Sequence, residues 1–196
     1  MKFAKIFLVR HGEIVNHKGI IYGYLPLPLS SRGEKQIKKA GSFLKKQKIA
    51  AIFASPMRRT QQTAKILKKA IGKIKIHTEE GLRESWTGAL EGLTWADARK
   101  KYPKELYFYR HKPERLKKGE SFEKIAKRVE KTVWGRIKKY PGKNLVFVSH
   151  GDPILCFLFR LSKKKFSELA NFKQFCPMGA VLEVDLMGKK LINKTF

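Results

Sequence analysis

Histidine and arginine residues follow three of the strand-like segments in this chain of 196 residues. Arg10 and His11 come after the first segment, Arg58 and Arg59 after the second, and His150 after the fourth. Arginine is a planar, permanently charged fork that matches phosphate oxygens. A neutral imidazole is a good nucleophile at about pH 7, because its ordinary pKa is about 6.5. If the strands are parallel, their carboxyl ends meet at one edge of the sheet, and these residues predict a cleft for a phosphoryl group.

Two predicted helix N-termini support the same interpretation. Ser55 is followed by Pro56, and Asp152 by Pro153, which is the order of a capping residue and a proline at the first helical position. Helix N-termini offer backbone N–H donors and a partial positive charge to an anion. Each feature alone is weak evidence, because a histidine at a strand end is commonly a hydrogen-bonded structural residue.

Strands and helices are predicted to alternate along the chain. Apolar runs predict strands at residues 3–9, 50–54, 74–77, 145–149 and 180–186, with a possible partner at 190–194. Apolar residues at helical spacing predict helices around residues 37–44, 57–71 and 122–137 and a fourth from Asp152. Ser31 and Glu34 can form a capping box for the first helix. The pattern predicts an α/β fold, a three-layer α/β/α sandwich with a mostly parallel central sheet and helices on both faces.

The length suits one domain over residues 1–196 with a single hydrophobic core. Residues 85–120 fit the alternation less well, since they combine many aromatic and charged residues with two prolines. We interpret this stretch as a partly helical insertion over one end of the sheet. Open α/β sheets bind ligands beyond the carboxyl ends of their strands, so the insertion is in the right place for a lid.

Five ordered motifs resemble those of the histidine phosphatase superfamily, which includes the phosphoglycerate mutases. The similar segments are LVRHGE at residues 8–13, SPMRRTQQTA at 55–64, LRE at 82–84 with Gly88 and Glu91-Gly92 after it, GES at 119–121, and VSHG at 148–151. They follow the order of the family and span most of the chain.

The resemblance implies a role for each reacting residue. His11 would be the nucleophile that carries the phosphoryl group, and Arg10, Arg59 and His150 would hold its oxygens. Glu84 would protonate the leaving alcohol and then activate water. That role requires a protonated carboxyl group, and desolvation or a nearby anion would have to raise its pKa from about 4.3.

The resemblance also implies substrate contacts at Asn16, Tyr22, Gly23 and the backbone of Gly151. Asn16 comes one residue earlier than in many family members, which puts its phosphate contact in question. Further departures from the family pattern lie at Ile14, Thr60 and residues 176–178. None of them removes a reacting group.

The resemblance favours a metal-independent phosphatase that hydrolyses a small phosphomonoester through a phosphohistidine on His11. A cofactor-dependent phosphoglycerate mutase is the alternative, although mutases in the family are generally longer and must exclude water. A non-enzymatic protein that binds a phosphorylated ligand is the third possibility. No pair of histidines or carboxylates has metal-ligand spacing, so neither a metal site nor a cofactor is predicted.

The net charge of +28, from 44 basic and 16 acidic residues, attracts anions. Lysines are spread along every predicted helix, which also fits a general lysine bias, so nucleic acid is an unlikely partner and a small phosphorylated metabolite is expected. Two cysteines make no disulfide framework and suggest reduced thiols in a cytoplasmic protein. No apolar run approaches the roughly 20 residues of a membrane-spanning helix, and no oligomeric state is specified.

Overall fold

The computed structural model describes residues 5–16, 18–111, 119–164, 166, 176–185 and 190–194. Its centre is a six-stranded sheet in the order β3-β2-β4-β1-β5-β6. The strands are β1 (Lys5–Arg10), β2 (Ile49–Ala54), β3 (Lys75–Thr78), β4 (Asn144–Ser149), β5 (Val181–Asp185) and β6 (Lys190–Lys194). The first four strands pair in parallel, and β5 and β6 are antiparallel.

Helices cover both faces of this sheet. On one face lie α1 (Ser31–Lys45) and α2 (Arg58–Ile71), and on the other lie α5 (Phe122–Lys139) and α6 (Gly151–Leu161), whereas α3 (Trp95–Lys101) and α4 (Pro103–His111) belong to the predicted insertion. Side chains alternate across each strand, so Ile6 and Leu8 of β1 join a core cluster with α5 and α6, whereas Phe7 and Val9 join another with α1 and α2. Strands buried on both faces account for their continuous apolar sequences. The predicted three-layer α/β fold with a mostly parallel sheet is confirmed.

Three predicted helix caps are wrong, and one of them is Asp152, because α6 begins at Gly151 with His150 as its N-cap. The N-cap of α1 is Ser30, whose hydroxyl accepts a hydrogen bond from the backbone N–H of Gly33 at 3.0 Å, so Ser31 is already the first helical residue. The N-cap of α2 is Met57, and the helix begins at Arg58, later than the Ser-Pro pair predicts.

The described part of the predicted insertion contains one 3₁₀ helix and two α-helices and has a small core of its own. A 3₁₀ helix (Gly88–Leu90), α3 and α4 bury Leu90, Ala98 and Leu106 together with Ile21 of an earlier loop. Residues 112–118 of the predicted insertion lie outside the described residues, as do residues 3, 4 and 186 of the predicted strands. In the part of the chain that the structure describes, no helix is long and apolar enough to cross a membrane.

The loop after β1 packs against the start of α1 without room for side chains. A Cβ atom on Gly12 would lie 2.5 Å from the carbonyl oxygen of Gly33, and one on Gly33 would collide with the carbonyl oxygen of Glu13. Backbone contact at this distance fixes where the chain goes after Arg10. The start of α1, as well as the sheet, therefore fixes where His11 lies in the fold.

We expect Gly33→Ala to lower the free energy of unfolding by about 1 to 3 kcal/mol, because the added methyl group meets backbone that cannot move aside. Gly135→Ala in α5 is the control: nothing lies within 4 Å of its added Cβ, and alanine should raise the stability by about 0.5 to 1 kcal/mol. Urea unfolding of both variants measures the difference. A Gly33→Ala variant as stable as the parent chain would contradict the close packing.

Candidate active site

His11 lies at the base of the candidate site with one ring nitrogen available. Its backbone N–H donates to the carbonyl of Ser149, next to β1 in the sheet, at 3.1 Å. Its side chain is completely buried, and Nδ1 lies 2.8 Å from the carbonyl oxygen of Gly12. A carbonyl only accepts hydrogen bonds, so Nδ1 carries the proton and Nε2 carries the lone pair. Nε2 has no hydrogen-bond partner among the described residues. Burial and the charges of Arg59 and Arg10 hold the pKa of this imidazole well below its ordinary value.

Arg59 is fully buried beside this ring, in the first turn of α2, whereas Arg58 is exposed. Its guanidinium donates to the carbonyls of Gly23 at 2.7 Å and Leu25 at 3.0 Å, and its Nε donates to Nδ1 of His150 at 3.2 Å. Tyr22 lies against the same guanidinium, with 5.0 Å between Cζ and the ring centroid. One arginine thereby joins a loop, α2 and the end of β4.

His150 is also buried and has a defined tautomer. Nδ1 accepts from Arg59, so Nε2 carries the proton and donates it to the hydroxyl of Ser55 at 2.9 Å. The centroids of the His11 and His150 rings are 5.2 Å apart. Burial lowers the pKa of His150 well below its ordinary value, and the charge of Arg59 lowers it further. Both imidazoles are consequently neutral at about pH 7.

Arg10 borders the open side of the site with an unsatisfied donor. Its Nη1 donates to the carbonyl of Cys176 at 2.7 Å, but its Nε is buried and has no partner among the described residues. A Cβ atom on Gly151 would lie 3.2 Å from the Arg10 Cζ, so the glycine lets the guanidinium lie flat on the start of α6. A buried cationic N–H without an acceptor is costly, and an anion in the adjoining cavity would satisfy it.

Glu84 lies almost completely buried across the site from these cations. One carboxyl oxygen accepts from the backbone N–H of Ser85 at 2.9 Å, and the other is 3.9 Å from Nδ1 of His150. Burial raises its pKa to about 7, and the charge of Asp152 adds to the rise, while Arg59 opposes it. A carboxyl group with this pKa can both donate and accept a proton under neutral conditions.

His11, Glu84 and His150 also offer ligand atoms within 4.8 Å of one another, a spacing that a metal ion can use. The surroundings favour the opposite charge. Nδ1 of His150 already accepts from Arg59, and the guanidinium groups of Arg59 and Arg10 adjoin the cluster. Two fixed cations next to two neutral imidazoles make a better site for an anion than for a cation.

Arg128 of α5 fixes the segment that carries Glu84. Its guanidinium makes a bidentate pair with the Glu120 carboxylate at 2.6 and 2.7 Å. The same group donates to the backbone carbonyls of Gly81, Arg83 and Glu84 at 2.9, 2.7 and 3.0 Å. A planar guanidinium that binds three carbonyls within four residues leaves the turn little freedom. The position of the Glu84 carboxyl group therefore depends on an arginine some forty residues later in the chain.

A cavity of about 610 Å³ opens beside this cluster. Six of the residues singled out in the sequence border it, namely Arg10, Asn16, Tyr22, Gly23, Glu84 and Gly151, and Trp95, Tyr109 and His111 of the predicted insertion border it too. The Asn16 amide exchanges hydrogen bonds with the backbone of Ile20, both at 3.0 Å, so it shapes the loop at the rim. His11, Arg59 and His150 are completely buried and do not themselves border the cavity; Arg10 and Glu84, whose charges act on these buried groups, do.

Sequence reasoning missed several residues that this site uses. It treated Ser55 and Asp152 as helix caps, but Ser55 accepts from His150, and the Asp152 carboxylate accepts from the hydroxyl of Ser85 at 2.8 Å. The role of Arg128 was not predictable, because three of its acceptors are backbone carbonyls distant in the sequence, which have no sequence signature. The only sequence signal for Asp152 was the proline that follows it.

Comparison with known proteins shows the family of this chain. A family model described as "Histidine phosphatase superfamily (branch 1)" matches residues 6–194. "Phosphoglycerate mutase-like protein 4" of Arabidopsis thaliana is 30% identical over 86% of this chain and 76% of its own length. "Metal-independent phosphoserine phosphatase" of the same organism is 28% identical over 82% of this chain and 69% of its own. The solved structure of Bacillus stearothermophilus YhfR has a TM-score of 0.84 at 24% identity, over 98% of this chain and 96% of that one.

This chain belongs to the histidine phosphatase superfamily. The resemblance stated from the sequence motifs is confirmed, and so is the prediction of an enzyme of the histidine phosphatase type.

The substitution Glu84→Gln tests whether burial raises the pKa of this carboxyl group, because a raised pKa makes the free energy of unfolding depend on pH. The folded-state pKa is raised from 4.5 to about 7, so the native state holds a proton that the unfolded state releases between these values. The parent chain therefore loses stability as the pH rises through this window, and the uncharged Gln variant does not. We expect the stability of the variant relative to the parent to rise by about 1 to 3 kcal/mol between about pH 4.5 and 8.5.

Denaturant unfolding at several pH values measures this difference, with Glu34→Gln, an exposed position of α1, as the control. The control should show no comparable gain at high pH. A pH-independent difference for Glu84→Gln would refute the buried-acid interpretation.

Arg128→Lys should lower kcat about 10- to 100-fold for an alkyl phosphate, because lysine cannot bind the three carbonyls and Glu120 together, and Glu84 loses its position. p-Nitrophenyl phosphate, whose leaving group needs little protonation, should be affected far less. The matched control is Arg136→Lys, because Arg136 lies on the same helix as Arg128 and forms an ion pair with Glu79. This substitution should change neither rate more than about twofold. Equal losses for the two substrates would argue against a role through Glu84.

Proposed function

We propose that this chain is a metal-independent phosphatase that hydrolyses a small phosphomonoester through a phosphohistidine intermediate on His11. The observation that carries the proposal is the buried Nε2 of His11, which holds a lone pair and has no partner among the described residues. A buried polar atom without a partner is costly in a structural role and useful in a nucleophile.

In the first step, Nε2 of His11 attacks phosphorus and the bond from phosphorus to the ester oxygen breaks. The departing oxygen takes the proton from Glu84, whose pKa of about 7 keeps a large protonated fraction available. The Nδ1 proton stays hydrogen-bonded to the carbonyl of Gly12, which stabilises the imidazole ring as it becomes cationic. Arg10 supplies the donor that a phosphoryl oxygen completes.

In the second step, the Glu84 carboxylate removes a proton from water as the water oxygen attacks phosphorus. The phosphorus–nitrogen bond breaks, inorganic phosphate leaves, and both His11 and Glu84 return to their starting protonation states. The guanidinium groups of Arg10 and Arg59 neutralise charge on the transferring group, a task that metal ions perform in many other phosphoryl-transfer enzymes. The similarity to a relative named as metal-independent supports this assignment.

A phosphoglycerate mutase is the alternative that the name of another relative raises. A mutase holds a substrate with two anionic groups, and a second phosphate needs a second set of cations. Among the described residues that border the cavity, Arg10 is the only lysine or arginine. We therefore favour a phosphatase whose substrate is a small phosphorylated metabolite.

His11→Ala should lower hydrolysis of p-nitrophenyl phosphate by a factor of roughly 10⁴ or more and abolish an acid-labile, alkali-stable phosphoenzyme. The parent enzyme should keep its activity in excess chelator, because no step uses a metal. The control is His77→Ala, which removes an imidazole of β3 that stacks on Phe53 of β2, and this variant should retain activity. Rapid quench with labelled substrate detects the intermediate.

Turnover by His11→Ala would eliminate this nucleophile. Loss of parent activity on chelation, restored by a divalent metal, would instead overturn only the metal-independent part of the proposal and point to the His11, Glu84 and His150 cluster as a metal site.

A further inference from the structure

A second carboxylate borders the cavity beside the proposed acid. Asp152 lies in the first turn of α6 and is 8% exposed. Its Oδ2 accepts from the Ser85 hydroxyl at 2.8 Å, and it borders the cavity together with Glu84 and Ser85. No salt bridge joins it to a lysine or arginine of the described residues, although the chain carries 44 of them. A buried carboxylate with no cationic partner is costly, and a cationic ligand group would offset that cost.

The charge of Asp152 acts on the groups around it. It raises the pKa of Glu84 and, after burial, is the largest cause of the raised pKa of the Tyr109 phenol. These three side chains therefore share one electronegative part of the cavity wall. A cationic part of the site lies next to His11, where Arg10 borders the cavity and Arg59 is buried beside the imidazole.

The chemistry of the proposed reaction orients a substrate between these two parts. The phosphoryl group has to contact His11 and the guanidinium groups, and the ester oxygen has to contact Glu84, which protonates it. The remainder of the leaving alcohol then extends along the wall that Ser85 and Asp152 form. Inside the cavity, the charge of the Asp152 carboxylate is screened much less than it would be in water.

We propose that Asp152 is a specificity-determining residue that selects phosphomonoesters whose leaving alcohol carries an ammonium group and rejects those whose leaving alcohol carries a carboxylate. This inference rests on the proposed function. Asp152 takes no part in making or breaking bonds. Its carboxylate accepts a hydrogen bond from the ammonium group, while His11 and Glu84 carry out the phosphoryl transfer.

Three phosphate esters of similar size test the proposal: phosphoethanolamine with an ammonium group, phosphoglycolate with a carboxylate, and n-propyl phosphate with neither. We expect the parent enzyme to prefer phosphoethanolamine over phosphoglycolate by about tenfold or more in kcat/KM, with n-propyl phosphate between them. Asp152→Asn should reduce that ratio about tenfold. Because the ratio is taken within one variant, a change in the acid strength of Glu84 affects both substrates and cancels.

Asp97→Asn is the matched control, since it removes the same charge from an exposed position of α3 and should leave the ratio unchanged. An Asp152→Asn variant with the ratio of the parent enzyme would overturn the proposal. If that variant does not fold, the parent enzyme decides alone, because equal rates or a preference for phosphoglycolate would also overturn it.

The same measurements separate this proposal from the proposed function. Hydrolysis of n-propyl phosphate with a phosphohistidine on His11, combined with an unchanged ratio, would remove the role of Asp152 and leave the phosphatase intact. Failure to hydrolyse any ester, including p-nitrophenyl phosphate, would remove the proposed function and the specificity together.

Discussion

The burial of the Arg59 guanidinium is the constraint on which the rest of the site depends. A buried cation is costly unless its donors find acceptors, and three of the five N–H groups of Arg59 donate to the carbonyls of Gly23 and Leu25 and to the ring of His150. The loop before α1, the start of α2 and the end of β4 are thereby held at one point. The same charge lowers the pKa of both imidazoles, so the group that would hold a phosphate also keeps His11 unprotonated.

Burial acts in opposite directions on the base and the acid of this pocket. Desolvation disfavours the charged form of each group, so it lowers the pKa of His11 and raises that of Glu84. The resulting state is a neutral imidazole facing a partly protonated carboxyl group, which is the pairing that nucleophilic attack with proton donation requires. Asp152 strengthens the second effect, and a bound phosphate would act on Glu84 in the same direction.

The part of the site that follows from strand order was predictable from the sequence. Parallel pairing of β1 with β4 sets Arg10 opposite Ser149, so His11 and His150 leave neighbouring strand ends together. Contacts that depend on long-range packing were not predictable. Asp152-Pro153 has the pattern of a cap followed by a helix start, yet α6 begins two residues before Pro153, at Gly151, and the Asp152 carboxylate accepts from Ser85 instead. Asn16 lies at the cavity as expected, but its amide is used within its own loop.

The net charge of +28 acts over the whole surface and on the rate of encounter with phosphate esters, whereas the carboxylate of Asp152 acts inside the cavity and on the choice between leaving groups. A field summed over the whole surface raises the encounter rate of every phosphate ester, and salt screens it beyond about 10 Å. It attracts a leaving group with a carboxylate even more strongly than one without, because such an ester carries more negative charge. Selection against that extra charge therefore has to come from a group inside the cavity, where screening is weak and a single carboxylate next to the ester oxygen outweighs lysines on the surface.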